Sequence, residues 1–190
     1  WGGVSMLAQF AERWNQYGLI ADLAFKLKDV SPQFGRPVLQ SLVYILQEIY
    51  DVPCGYDFFL YNNFGPYCGE LADDLNFFAS MGGVKLEWHK RGGYKILPGV
   101  KTEYFRQVAR EFLDKYENEL SELIKNFGGM TGRDLELRST IIFVYKESLR
   151  QNNTDKNNII SRVGNIKSHF SQEEISGALE ELVKADIINL

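Results

Sequence analysis

Apolar residues recur with helical spacing along most of this chain, and two segments repeat nearly the same pattern. Residues 70–86 (ELADDLNFFASMGGVKL) and 174–190 (EISGALEELVKADIINL) align without a gap. In both segments apolar residues four and three positions apart define one helix face. The helix then ends, and a β-branched residue follows it. This order is typical of the last helix and wing of a winged helix-turn-helix, so we predict the same small motif twice.

The remaining periodic segments predict further helices, which are connected by glycine-rich, proline-rich or polar stretches. Pro37 suits a first helical turn, Thr131 and Ser171 suit N-caps, and Glu174 completes a capping box with Ser171. A helix over 102–127 would be roughly 35–40 Å long. The predicted helices cover residues 5–17, 19–28 (after a break at Gly18), 37–50, 102–127, 131–150, 159–166 and 171–185.

Most strand signals lie between the predicted helices over 37–50 and 102–127, and residues 187–190 are also predicted to be extended. Residues 56–61 (YDFFLY) are aromatic and predict a short strand, after which Pro66 opens a helix that ends at Gly82. Residues 84–89 and 94–97 flank the sequence Lys-Arg-Gly-Gly and predict a β-hairpin.

The predicted fold class is therefore α+β and mostly helical, with a winged-helix-like unit, a helical connector and a second, smaller winged-helix-like unit. We expect N-terminal helices packing on the core at 1–29, a winged-helix-like domain at 30–100, a helical connector at 101–151 and the C-terminal unit at 152–190.

Composition narrows the functional classes. The 190 residues are 45% hydrophobic and carry a formal net charge of −4, which supports a packed core and disfavours a dedicated nucleic-acid binder. Cys54 and Cys68 with His89 and His169 do not easily form a four-ligand zinc site, so we expect no metal and no cofactor. Free thiols and the lack of a long apolar run predict a soluble, cytoplasmic protein without a membrane partner.

Residues 35–47 (GRPVLQSLVYILQ) and 56–84 (YDFFLYNNFGPYCGELADDLNFFASMGGV) together resemble the YwgA-type family of uncharacterised prokaryotic proteins. The chain's last segment also looks like the ending of that family. More distantly the chain is similar to the Panacea-type domain of SocA-like antitoxins and phage-associated proteins. Cys68 stands where the family pattern has Ser, and Ser41 stands where it commonly has Lys. The resemblance implies a winged-helix-like fold and supplies no catalytic residues.

Two surfaces are candidates for binding. The hairpin region is basic, and its cations suit a DNA backbone or minor groove, although edge lysines also deter sheet aggregation. These candidate nucleic-acid-binding residues are Lys85, His89, Lys90, Arg91, Lys95 and Lys101. The second surface is an aromatic turn with the acidic helix behind it, although the turn's aromatic residues also suit packing between helix and strand. Its candidate partner-binding residues are Tyr61, Phe64, Tyr67, Glu70, Asp73 and Asp74.

Catalysis is the weaker interpretation. Asp73 and Asp74 are adjacent, so they point to different parts of a helix surface and predict a solvated acidic face rather than a shared substrate site. Cys68 near a helix start could have a lowered thiol pKa, but a partly buried cysteine is more often a packing residue.

We therefore expect a non-enzymatic regulatory or antitoxin-like module that binds another protein. The alternative is a winged-helix transcriptional regulator that uses the basic hairpin on DNA. A helix over 102–127 would have an apolar stripe that either covers the first unit or, with Trp14, forms a homodimer seam.

Overall fold

The structure, a computed structural model, describes residues 2–61 and 65–190, with side chains described from residue 12 onward. Within these residues helices predominate, and two antiparallel sheets contain two strands each. The α+β, mostly helical class predicted from the pattern is confirmed.

The elements are numbered in chain order. The helices are α1 (Gly2–Leu27), α2 (Arg36–Glu48), α3 (Gly69–Ser80), α4 (Thr102–Val108), α5 (Arg110–Lys115), α6 (Glu117–Phe127), α7 (Gly132–Arg150), α8 (Lys156–Ile166) and α9 (Gln172–Lys184). The strands are β1 (Phe59–Leu60), β2 (Pro66–Tyr67), β3 (Val84–His89) and β4 (Gly93–Pro98).

The predicted break at Gly18 is wrong, because α1 continues through it. A Cβ atom at Gly18 would lie 2.1 Å from the Cβ of Ala109. The glycine therefore allows close packing of α1 against the chain that joins α4 to α5. The contact that requires a glycine here is with a residue remote in sequence, so the local sequence pattern does not reveal it.

The predicted single helix over 102–127 is also wrong, because bends at Ala109 and Tyr116 divide it into α4, α5 and α6. At both bends ψ is positive, 14° and 22°, although the N–H groups of both residues still donate to the carbonyl four residues earlier. The bends let the segment follow the surface of α1 first and of α2 afterwards. Much of its apolar stripe is buried within the chain, with Phe105, Leu120 and Phe127 almost inaccessible, whereas Val108 is 44% exposed.

The aromatic segment forms less strand than predicted. Only Phe59 and Leu60 pair, with Tyr67 and Pro66 respectively, and α3 begins at Gly69 rather than at Pro66. Pro66 is the first residue of β2, a position at which strands tolerate proline. The four residues 187–190 carry no assigned strand either.

The centre of the fold is the packing of α2 against α7. Residues 38–46 of α2 are all buried, and α7 buries residues around much of its circumference. The predicted helix over 131–150 is confirmed. One cluster of buried apolar side chains includes residues from each of the four segments predicted as domains. The boundaries between those segments stay a prediction.

The predicted hairpin is confirmed, and it is anchored to the chain that precedes α2. Strands β3 and β4 pair from Val84 with Pro98 to His89 with Gly93, and Gly93 has a φ of 72° at the turn. The N–H of Ile96 donates to the carbonyl of Phe34 at 2.8 Å. The hairpin therefore follows α3 directly, and a hydrogen bond from β4 to the chain before α2 also holds it.

The sequence repeat is reproduced in the way that α3 and α9 end. Gly82 and Asp186, which align, both have positive φ values, 80° and 57°. The following residue, Gly83 or Ile187, donates its N–H to the carbonyl five residues earlier at 3.0 Å in both copies. This is the left-handed helix termination that turns the chain back over the helix. The first copy continues into β3, whereas residues 187–190 of the second carry no assigned strand.

Both predicted N-caps of the C-terminal half are confirmed as capping boxes, Thr131 with Asp134 and Ser171 with Glu174. Arg133 of α7 donates to Glu174 of α9 at 2.9 Å. This bond, with the Ser171 N–H, lowers the pKa of Glu174 to about 2.

Among the described helices, none combines the length and the apolar character that a bilayer crossing demands.

Gly82→Ala should destabilise the fold by about 1–2 kcal/mol, because a side chain at positive φ is strained. The new Cβ would also lie 3.2 Å from Val100 Cγ2. Gly177→Ala is the matched control. Gly177 lies inside α9, and a Cβ added there would have no atom within 4 Å, so this change should stabilise by about 0.5–1 kcal/mol. Urea unfolding of both variants measures the two effects, and equal effects would contradict the assigned helix ending.

Candidate functional site

A groove of about 550 Å³ lies between α2, β2, α3 and the start of α7. Its size is within the range of sites that enclose small ligands or short peptide segments. We call it the α2–α3 groove. It is lined by Arg36, Pro37, Leu39, Gln40, Ser41, Gly65, Pro66, Tyr67, Ala72, Asp73, Leu75, Asn76, Gly132 and Glu136.

Gln40 fixes one wall of the groove. Its Nε2 donates to the carbonyl of Cys68 at 2.9 Å, and its Oε1 accepts from the Cys68 N–H at 2.8 Å. Gln40 is 6% exposed, so an amide without partners here would carry the full cost of desolvation. The two bonds join the chain between β2 and α3 to the middle of α2.

Gly65 brings the start of β2 against α7. A Cβ atom at this position would lie 2.8 Å from Ser139 Oγ and 3.6 Å from the carbonyl oxygen of Glu136. Only a residue without a side chain allows this approach, and the approach sets the width of the groove at its α7 end.

Lys167, at the C-terminal end of α8, ties the same region to the C-terminal half. Its Nζ lies 3.3 Å from Glu136 Oε1 and donates to the Tyr61 carbonyl at 3.3 Å, and the residue is 1% exposed. A buried ammonium requires this kind of compensation. Glu136 also lies 3.4 Å from His169 Nε2. The carboxylate of Glu136 is therefore held within the fold and is not free to act on a ligand.

The opposite rim carries polar groups from α2 and α3. Arg36 Nη1 donates to Asn76 Oδ1 at 2.7 Å, and the Arg36 guanidinium lies 5.4 Å from the centre of the Tyr94 ring. Asp73 is exposed, and it forms no ion pair with any residue of the described chain. Hydrogen-bond donors and acceptors thus stand above a floor that includes Leu39 and Leu75.

Asp74 corrects the expectation of one solvated acidic face. It is 3% exposed, and it accepts hydrogen bonds from Arg13 Nη1 at 2.5 Å and from the Tyr56 hydroxyl at 2.7 Å. Burial, reinforced by the bond to Asp74, raises the pKa of Tyr56. Adjacent helical residues point about 100° apart. Asp73 therefore faces the groove while Asp74 faces the core, where it cannot contact a partner.

The other candidate partner-binding residues are divided between exposed and half-buried positions. Tyr61 is 52% exposed, and its ring meets that of Tyr67 edge to face at 5.8 Å. Glu70 is exposed in the first turn of α3, where its Oε1 lies 3.8 Å from Arg13 Nη1. Tyr67 and Asp73 line the groove. Phe64 lies outside the described residues.

The candidate nucleic-acid residues do not form one cluster. Lys85 and His89 lie on either side of Glu87 at 3.3 and 3.1 Å. Lys90 and Arg91 occupy the hairpin turn, whereas Lys101 follows the base of the hairpin, roughly 20 Å away for six residues of strand. Lys95 belongs to β4, on the strand face opposite Tyr94.

The cysteines are not activated. Burial raises the pKa of the Cys68 thiol, opposite to the lowered value considered for a helix start, and burial raises that of Cys54 to about 12. Across residues 12–61 and 65–190, no group of three or more His, Cys, Asp and Glu side chains is arranged to hold a metal ion.

Sequence reasoning missed four residues that shape the groove: Arg36, Gln40, Glu136 and Lys167. Only Gln40 could have been recognised from the sequence. It lies between Leu39 and Leu42 on an apolar helix face, and a buried amide there must have hydrogen-bond partners. The others depend on contacts between residues at least 31 positions apart, such as Lys167 with Glu136.

Comparison with models of known protein families and with curated protein sequences finds no match to this chain.

Asp74→Ala should destabilise the protein by about 3 kcal/mol, because it leaves Arg13 and the buried Tyr56 hydroxyl without their common acceptor. Asp73→Ala, one residue away and exposed, should change stability by less than about 0.5 kcal/mol. Chemical denaturation of the two variants gives both values. Similar losses at the two positions would contradict the assignment of one carboxylate to the core and one to the groove.

Proposed function

We propose that this protein is a non-enzymatic regulatory or antitoxin-like module that binds another protein, and that an extended segment of the partner occupies the α2–α3 groove. The observation that carries the proposal is the combination of an apolar floor with a polar rim in a groove of about 550 Å³. Such a combination is typical of recognition sites, where apolar contact contributes affinity and a few polar groups define orientation.

The chemistry of the lining favours binding over reaction. Of its ionisable side chains, Glu136 is engaged by Lys167, and Arg36 is bonded to Asn76 and lies over Tyr94. Asp73 remains open to a ligand, and so do the exposed edges of Pro37 and the half-buried Ala72. The main chain of a bound peptide would meet the Asp73 carboxylate as an acceptor and the Arg36 and Asn76 side chains as donors on the same rim. This arrangement suits peptide N–H and carbonyl groups.

The sequence resemblance supports the same proposal. The segments that resemble the YwgA-type family and the antitoxin-associated Panacea-type domain include α2, β2 and α3, which form three sides of the groove. A winged-helix-like arrangement belongs to this proposal, since a two-stranded hairpin follows α3 directly.

A winged-helix DNA-binding regulator is the second candidate, and one observation favours it. Lys90 and Arg91 at the hairpin turn are exposed and form no ion pair with the described residues. Against it, α3 contains no Lys or Arg and exposes Glu70 and Asp73, which would repel phosphates in a major groove. Only the hairpin could therefore supply the contacts to DNA.

Filling the groove should weaken peptide binding. Peptides selected from a random library on the wild-type protein should bind Ala72→Trp at least about tenfold more weakly, because the indole takes the space above Leu75. Fluorescence anisotropy with labelled peptides measures the affinities, and thermal unfolding checks that each variant is folded.

Asn118→Trp provides the matched control, because Asn118 is exposed on α6 outside the groove lining. It should bind the selected peptides as the wild type does. Asp73→Arg is a second groove variant that changes charge without entering the core. Selected peptides that bind all three variants equally would contradict the proposal, as would a library that yields no binding peptide.

A further inference from the structure

We propose that the outer end of the β3–β4 hairpin binds single-stranded nucleic acid, with bases stacked on Trp88 and Tyr94 and phosphates contacting Arg36, Lys90 and Arg91. We call these five residues the hairpin platform. Arg36 also lies on the rim of the α2–α3 groove, whereas the other four platform residues do not line it. The function proposed for the platform does not depend on the function proposed for that groove.

The platform exposes two aromatic rings on one strand face. Trp88 is 63% and Tyr94 44% exposed, and the two residues are a directly paired cross-strand couple whose rings meet edge to face at 5.2 Å. They share a strand face with Ile96, which is fully buried. The apolar face of the hairpin thus continues beyond the core and presents its last two rings to solvent.

One cation lies beside the Tyr94 ring, and two more follow in the hairpin turn. The Arg36 guanidinium lies 5.4 Å from the Tyr94 ring centre and is oriented by its hydrogen bond to Asn76. Lys90 and Arg91 follow Trp88 within three positions and have no acidic partner among the described residues. Glu87, the nearby carboxylate, is on the other strand face and is already engaged by Lys85 and His89. The positive charge beside the rings is therefore uncompensated.

The platform is also held in place before any ligand arrives. Gln33 Nε2 donates to the Gly92 carbonyl at 2.9 Å, and Gly35 pairs with Lys95 as an isolated bridge. A Cβ atom at Gly35 would lie 2.7 Å from the Tyr94 carbonyl oxygen, so the approach of the two chains needs a glycine. A hairpin fixed along β4 loses little conformational entropy on binding.

An unpaired strand is the ligand that uses both features. Its bases offer ring faces for stacking, and its phosphates offer regularly spaced negative charge. A duplex keeps its base faces inside the stack and would leave Trp88 and Tyr94 unused. An acidic peptide would match the cations but leave the rings in water, and an apolar peptide would do the reverse.

Fluorescence anisotropy of a labelled dodecathymidine on the 190-residue chain tests the proposal. At about 50 mM salt we expect binding that Trp88→Ala weakens about tenfold and that Trp88→Phe largely restores, because stacking needs an aromatic face and not the indole N–H. Lys90→Gln with Arg91→Gln should lower the slope of log affinity against log salt by about 1.4, since each lost phosphate contact removes about 0.7.

The matched control is Lys125→Gln with Lys184→Gln, which removes the same charge from exposed positions on α6 and α9. Its salt slope should equal that of the wild type. Oligouridine of the same length distinguishes RNA from DNA as the strand, and either result supports the site.

Several outcomes would overturn the proposal. These are an absence of binding at low salt, equal or tighter binding of the matched duplex, displacement by a polyglutamate peptide at equal charge, and an unchanged affinity of Trp88→Ala. Ala72→Trp should bind dodecathymidine normally, and Trp88→Ala should bind groove-selected peptides normally. Failure of the platform is thereby distinguished from failure of the groove.

Discussion

The attachment of residues 61 and 65–68 to α2, α7 and α8 is the constraint on which the rest of the structure depends. Gln40 binds the end of this segment through two hydrogen bonds to Cys68, and Lys167 binds its beginning through the carbonyl of Tyr61. Gly65 approaches α7 in between. Because α3 starts immediately after Cys68, these contacts set both the wall of the groove and the position of the helix that forms its other side.

Buried charges make the same kind of long-range connection elsewhere. Asp74 joins α3 to Arg13 of α1, and Asp22 of α1 bonds to Arg106 of α4 at 3.0 Å. Each carboxylate is nearly inaccessible, so its partner must be present for the fold to tolerate it. In contrast, the cations at the hairpin turn are left without acidic partners among the described residues. The buried charges are compensated within the fold, whereas the cations of the hairpin turn are exposed to solvent.

The two repeat copies illustrate how one local pattern serves two surroundings. Both helices end through a left-handed residue, and both bury the apolar residue two positions later, Val84 or Ile188. In the first copy the chain continues into a hairpin that pairs with itself and with residues 34–35. In the second, the N–H of Asn189 donates to the Tyr145 hydroxyl of α7 at 3.3 Å. The way in which the helix ends is common to both copies of the repeat. The contacts of the segment that follows the helix differ between the two copies.

The sequence by itself determined the features that depend on neighbouring residues. Helical periodicity identified α2, α7 and α9, serine and threonine caps located two helix starts, and a glycine turn located the β3–β4 hairpin. It also identified Tyr67 and Asp73, which line the groove, although it grouped Asp74 with them. Local spacing determines which residues share a helix face, but it does not determine which face meets the core.

Only the tertiary structure decided the rest. Gly18 lies inside a helix, where its missing side chain lets Ala109 approach, and the bent segment 102–127 contacts α1 first and α2 afterwards. Lys167 is buried because Glu136 and the Tyr61 carbonyl compensate its charge. The groove likewise exists only where α2, β2, α3 and α7 meet. Each of these outcomes depends on packing and charge compensation between residues that are far apart in the chain, and no local pattern contains that information.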